Sequence, residues 1–250
     1  MNTLQLTETV GAIAAKDYRN TKVFSQLGIN FSYAGNKTLE EASKEAGVTI
    51  DEVKVALEQN NLPKPTAALE FNNWNIDSLI DYIINTHHYY AKERAVVIFD
   101  LARKVAIRHG EKHPELIKLG EALFLFLNDL LNHLKKEEQI LFPNIRQLVK
   151  KKSCAGKITY TTFGFIKESV IKMKKEHLTA GKELKLFRKL TNEYMIPADA
   201  CNSYKDLFEK MKEFENDLFL HVHLENNILF PKATVLDEEL KEQERNVETW

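Results

Sequence analysis

Much of what would mark this 250-residue chain as secreted, membrane-spanning or nucleic-acid-coating is missing from it. Its two cysteines, Cys154 and Cys201, cannot build a thiolate metal cluster within one chain. They allow one disulfide at most, and two idle thiols are expected in a reducing compartment. No apolar run approaches the roughly 18 residues that suggest a membrane span. The opening MNTLQLTETV carries neither the basic nor the apolar region of a secretory leader. A formal net charge of −1 supplies no bulk basic field for nucleic acid or an anionic membrane. The expectation is a cytoplasmic protein with no nucleic-acid and no membrane partner. Glycine and proline are scarce, at 9 and 6 residues, and almost no stretch alternates apolar with polar residues, so strands are not expected. What is present is ordinary for a water-soluble globular chain, 44% hydrophobic and 28% charged, and it reads with a helical period. The fold class is all-α.

Residues 1–65 read as a small helical module. Thr7 to Leu27 is a candidate long helix. Thr38-Leu-Glu-Glu41 and Thr49-Ile-Asp-Glu52 are two capping boxes, each opening a short helix, the first ending near Gly47 and the second near Asn60. Asn60-Asn-Leu-Pro-Lys-Pro65 is the best linker, because its two prolines discourage helix. Four long amphipathic segments follow, near 76–109, 114–150, 160–191 and 200–232. They are broken at Gly110 with Pro114, at 150–156, and at Pro197. Segments of that length with short connections suggest an up-down four-helix bundle over 76–233. The charged tail, 234–250, is expected to be a frayed helix or disordered.

The chemistry is concentrated in an internal repeat. The second long segment contains His133-Leu-Lys-Lys-Glu137, and the fourth contains His221-Val-His-Leu-Glu225. A four-residue spacing stacks two side chains one turn apart on one helix face. The offset between the copies is 88 residues throughout (221 − 133, 225 − 137, and 231 − 143 for the prolines of two Leu-Phe-Pro sequences). The helix before each motif supplies a further histidine, His88 before His133 and His177 before His221, with His87 the neighbouring alternative to His88. Packing two such helix pairs converges four imidazoles and two carboxylates on the core. Magnesium and calcium sites are built of oxygen ligands instead, whereas imidazole suits iron, zinc or copper. Two glutamates entering from opposite helices can bridge two ions. Each iron would then have two imidazoles and two carboxylate oxygens, plus a shared oxo or hydroxo group, leaving a position for a small diatomic ligand.

Residues beside the repeat are read more plainly. His109 and His113 flank a loop and are expected to be exposed. His87 and His223 face away from the candidate ligands, as second-layer or surface groups. Glu138 is expected to be solvated or paired with a lysine. Tyr82, Tyr89 and Tyr90 surround His88 and are expected to pack in the core, while each Leu-Phe-Pro packs and then stops its helix.

The segments NHLKKEEQILFP, HVHLENNILFP, IINTHHYY and KKEHLTAG resemble the four ligand helices of the repair-of-iron-centres (ScdA-like) family, di-iron proteins with a hemerythrin-like bundle. Position by position, the resemblance implies His88, His133, His177 and His221 as ligands, with Glu137 and Glu225 bridging. It extends to LGINFSYAGNKTLEEA in the N-terminal module, where Ser32 and Tyr33 stand in place of the family's two adjacent cysteines. A thiol step at that position is therefore closed to this chain. The resemblance further implies repair or protection of iron–sulfur clusters damaged by nitric oxide or oxidative stress. Iron delivery, nitric oxide binding and nitric oxide reduction are its possible routes, and damaged iron–sulfur proteins are its clients. The rival for the bundle is a sensor or binder of O2 or NO without turnover. For the N-terminal module, the rival is a helix–turn–helix DNA reader. Asp51 and Glu52, at the start of its second helix, oppose phosphate and favour an interaction or homodimerisation module instead.

Overall fold

The computed structural model describes residues 7–60, 70–153 and 165–248, and among these the fold is all-α. Four short helices come first: α1 (Val10–Lys16), α2 (Asn20–Gln26), α3 (Leu39–Ala46) and α4 (Ile50–Gln59). Both capping boxes form, Thr38 with Glu41 and Thr49 with Glu52. Gly47 ends α3 in the left-handed conformation at φ 72° that glycine adopts without cost. The expected single helix from Thr7 to Leu27 is instead two. Asp17 captures the backbone N–H and the guanidinium of Arg19, each at 3.0 Å. Its carbonyl accepts from Asn20 N–H, so the chain turns where the periodic pattern alone runs on.

The bundle has four long helices: α5 over 76–109, α6 over 115–153, α7 (Phe165–Leu190) and α8 over 202–248. They pack in a closed ring, α5 on α6, α6 on α7, α7 on α8 and α8 on α5. Three of them contain a widened π turn, Ile83–His88 in α5, Glu137–Leu141 in α6 and Glu225–Leu229 in α8. These turns correct the expectation that Leu-Phe-Pro stops its helix. Phe142 N–H bonds to Glu137 C=O and Phe230 N–H to Glu225 C=O, five residues back, immediately before Pro143 and Pro231. The wider turn relieves the clash a proline ring makes with the carbonyl four residues earlier, and both helices continue. The tail likewise extends α8 to Glu248, with Leu236 and Leu240 buried in the core. The segment 61–65 of the expected linker, and Cys154 to Gly156 in the expected break, lie outside the described residues. No described helix is long and apolar enough to cross a membrane.

Two apolar cores divide the bundle along its length. One is built on Ala95, Leu123, Phe126, Phe187 and Phe214, and the other on Ile80, Phe142, Ile145, Ile228 and Phe230. A polar layer of histidines and glutamates lies between them. The N-terminal helices form a third core around Phe24 and Phe31, which reaches α8 through Phe219.

Candidate metal centre

The layer between the two cores holds six buried side chains, His88 from α5, His133 and Glu137 from α6, His177 from α7, and His221 and Glu225 from α8. All six positions singled out in the sequence are brought together. Their nitrogen and oxygen atoms fall into two overlapping groups, His88, His221, Glu137 and Glu225 in one, His133, His177, Glu137 and Glu225 in the other. Within each group the atoms lie within 4.8 Å of one another. The carboxylates are shared in a particular way. Glu137 presents Oε2 to His88 Nε2 at 3.5 Å and Oε1 to His133 Nε2 at 3.3 Å. Glu225 presents Oε1 to His221 Nε2 at 3.0 Å and Oε2 to His177 Nε2 at 3.3 Å. Each glutamate thus gives a different oxygen to each histidine pair.

The π turns sit at this layer, ending on His88 and beginning on Glu137 and Glu225. The repeat is also visible in the packing. Phe142 stacks on the His88 ring at 5.6 Å, and Phe230, 88 residues on, stacks on the His177 ring at 6.0 Å.

All four imidazoles turn Nε2 inward. His88 Nδ1 donates to Glu138 at 2.8 Å, His133 Nδ1 to Glu176 at 2.8 Å and His177 Nδ1 to Asn226 Oδ1 at 2.9 Å. An Nδ1–H held this way leaves the Nε2 lone pair free for a metal. His221 Nδ1 has no partner among the described residues. Glu138 is held in turn by Lys92 at 2.6 Å, so the expected lysine pairing is present, together with a role towards His88. Glu176 and the Asn226 amide were not singled out in the sequence. The signal for Asn226 was available, since it stands 88 residues after Glu138 and directly follows Glu225 as Glu138 follows Glu137.

The neighbouring residues partly depart from expectation. His87 and His223 are both buried. His87 bonds Asp217 at 2.9 Å and lies parallel to the His221 ring at 5.8 Å. His223 lies against Phe31, because the N-terminal module covers that face of α8. His109 and His113 are half-buried rather than exposed. The first is 3.1 Å from Cys201 Sγ and the second 3.2 Å from Asp199, both at the far end of the bundle. Tyr82 packs on Phe71, Trp74 and His87, and Tyr90 on Phe214, while Tyr89 points to solvent.

The electrostatics of the layer set buried carboxylates against imidazoles. Burial opposes charge on His133, but Glu137, Glu176 and Glu225 overcome it and push its pKa up to about 10. Glu225 is held well below the usual carboxylate range, where His221, His177 and His88 outweigh its burial. His133 holds Glu176 down at about 2 against burial, with help from Lys136. Among the described residues, both oxygens of Glu137 and Oε2 of Glu225 are buried without a hydrogen-bond partner. Opposed ring nitrogens also lie only 3.0 Å apart, His88 against His221 and His133 against His177. Buried acceptors left this way are costly, and a cation in each group satisfies them. The donor set therefore fits two transition-metal ions. A cavity of about 670 Å³ reaches this layer from the surface, lined by His133, His177 and His221, by residues of α6 and α7, and by Tyr33.

Residues 79–233 match the Hemerythrin HHE cation binding domain, and residues 6–61 match ScdA_N, a domain of unknown function (DUF542). The chain is 32% identical over 226 residues to the iron-sulfur cluster repair protein YtfE of Pectobacterium atrosepticum, covering 90% of this chain and 96% of that protein. It is likewise 32% identical to the proteins of that name from Yersinia pestis and Musicola paradisiaca, again across 90% of this chain and 96% of theirs. With its bundle and its N-terminal module both matched, the chain belongs to the repair-of-iron-centres family of hemerythrin-like proteins.

Proposed function

We propose that the six-residue cluster holds two iron ions, His88 and His221 on one, His133 and His177 on the other, with Glu137 and Glu225 bridging. The observation that carries this reading is that each buried glutamate offers a different oxygen to each histidine pair. Two Fe²⁺ ions bring four positive charges and the two glutamates remove two, which leaves the site receptive to an anionic bridge. When bound, the iron supplies open coordination and redox capacity. The chain's own residues fix the imidazole tautomers through Glu138, Glu176 and Asn226 and hold the layer between two apolar cores.

The function is repair or protection of iron–sulfur clusters damaged by nitric oxide or oxidative stress, in the cytoplasm, by iron delivery, nitric oxide binding or nitric oxide reduction. The cavity over His133, His177 and His221 suits a small diatomic and gives a released ion a path to solvent. The test is transfer of labelled iron from the loaded protein to a nitric-oxide-damaged iron–sulfur enzyme, followed together with recovery of that enzyme's activity. Transfer with recovery, lost in His177→Ala, is expected. A reversible O2 or NO adduct with full retention of iron and no recovery would favour the sensor instead.

A further inference from the structure

Two consecutive asparagines follow Glu225 in the π turn of α8, and both reach the N-terminal module. Asn227 Nδ2 donates to Phe31 C=O at 2.9 Å, and its side chain fits between Gly11 and Gly35 so closely that a Cβ on either would lie 2.5 Å from Asn227 Oδ1. Asn226 goes further. Its Nδ2 donates to Ser32 C=O at 3.1 Å, while its Oδ1 accepts from His177 Nδ1 at 2.9 Å, and the residue is 8% exposed. One amide thus joins a backbone carbonyl of the module to a candidate metal ligand.

The repeat shows what is particular here. The counterpart of Asn226 is Glu138, which supports His88 in the same way but is anchored to Lys92. A carboxylate suits that position because its second partner is a cation. At 226 the second partner is a carbonyl oxygen, which needs a donor. An amide supplies an acceptor to His177 and a donor to Ser32 at once, which an ionised carboxylate cannot. The contact uses the main chain of Ser32, so the replacement of the family's cysteine pair leaves it intact.

From this we infer that Asn226 is a positioning residue that couples metal occupancy to the seating of the N-terminal module on α8. A cation on His177 Nε2 fixes that ring, makes its Nδ1–H a stronger donor, and so fixes the amide whose other end holds Ser32. Linkage makes the effect reciprocal: an unseated module loosens His177 and weakens metal retention. This inference rests on the metal reading above.

The test is amide hydrogen exchange of the full chain, metal-free and loaded anaerobically with Fe²⁺, with bound iron counted in the same samples. The reporters are the amides of Tyr33 and Ala34, which bond to Asn30 Oδ1 beside the contact. Loading is expected to slow their exchange about tenfold in the wild type. In Asn226→Asp, which keeps the acceptor but loses the donor, iron still binds but the slowing disappears and iron leaves faster to a chelator. Asn227→Asp loosens the same seat without touching His177 and is expected to keep the metal response. No response in the iron-loaded wild type, or an undiminished one in Asn226→Asp, would overturn the coupling alone. A wild type that takes up no iron would overturn the metal reading and the coupling with it.

Discussion

Gly181 lies on the face of α7 that meets Tyr33, where a Cβ would sit 3.0 Å from Cγ of that ring. A glycine inside a helix costs about 1 kcal/mol relative to alanine, so the room it leaves is used by Tyr33. Gly181→Ala is expected to destabilise the protein by about 1–3 kcal/mol through overpacking. In a Tyr33→Ser background the same change is expected to be neutral or stabilising, a sign reversal that a double-mutant cycle in urea reads directly. The Tyr33 hydroxyl is buried without a partner among the described residues, and burial, then Glu215 and Glu225, push its pKa above the ordinary phenol range. Tyr33→Phe is therefore expected to leave stability unchanged or raise it, since an unsatisfied hydroxyl is removed and the ring retained. At this scale the sequence was legible wherever residues recur. The two His-x-x-x-Glu pairs stand out because the 88-residue offset repeats them, and His88 and His177 because each precedes its motif by 45 or 44 residues; a resemblance to known signature segments agrees. Glu176 and Asp217 were not legible, because each acts through a hydrogen bond to a residue on another helix, which depends on how the helices are rotated against each other.

Among the elements, the long helices follow from amphipathic periodicity and the two capping boxes from their spacing, both local signals. The errors have local causes as well. The Asp17–Arg19 interaction splits the first helix, and the π turns at Glu137 and Glu225 let helices pass prolines that ordinarily end them. A π turn has no spacing signature of its own, so Leu-Phe-Pro read as a stop. The charged composition past Val235 likewise hid the apolar pair Leu236 and Leu240, which face the core while Glu238, Glu239 and Glu242 face water. Leu240→Ala is expected to cost about 2–5 kcal/mol, as a buried leucine does. A change in unfolding free energy of less than about 0.5 kcal/mol would mean that this stretch does not pack.

For the whole molecule, the seating of the module on α8 buries His223, whose pKa burial lowers from 6.5 to about 4. The unfolded chain takes up a proton at this imidazole below about pH 6.5, whereas the folded chain refuses it until about pH 4. Stability is therefore lost as pH falls through that window, by roughly 3 kcal/mol at its lower end. The metal-free His223→Gln variant is expected to show a shallower decline than the wild type between those limits, and parallel curves would contradict the assignment. His133 contributes in the opposite sense in the metal-free chain, because its raised pKa gives stability that is present below about pH 6.5 and lost as pH rises towards about 10.

The two overlapping groups of donors make one claim that a single measurement reaches most directly, the number of irons bound per chain by the anaerobically loaded wild type and by His177→Ala. The predicted result is two in the wild type and one or none in the variant. One iron or fewer in the wild type, or two retained in the variant, would contradict the account.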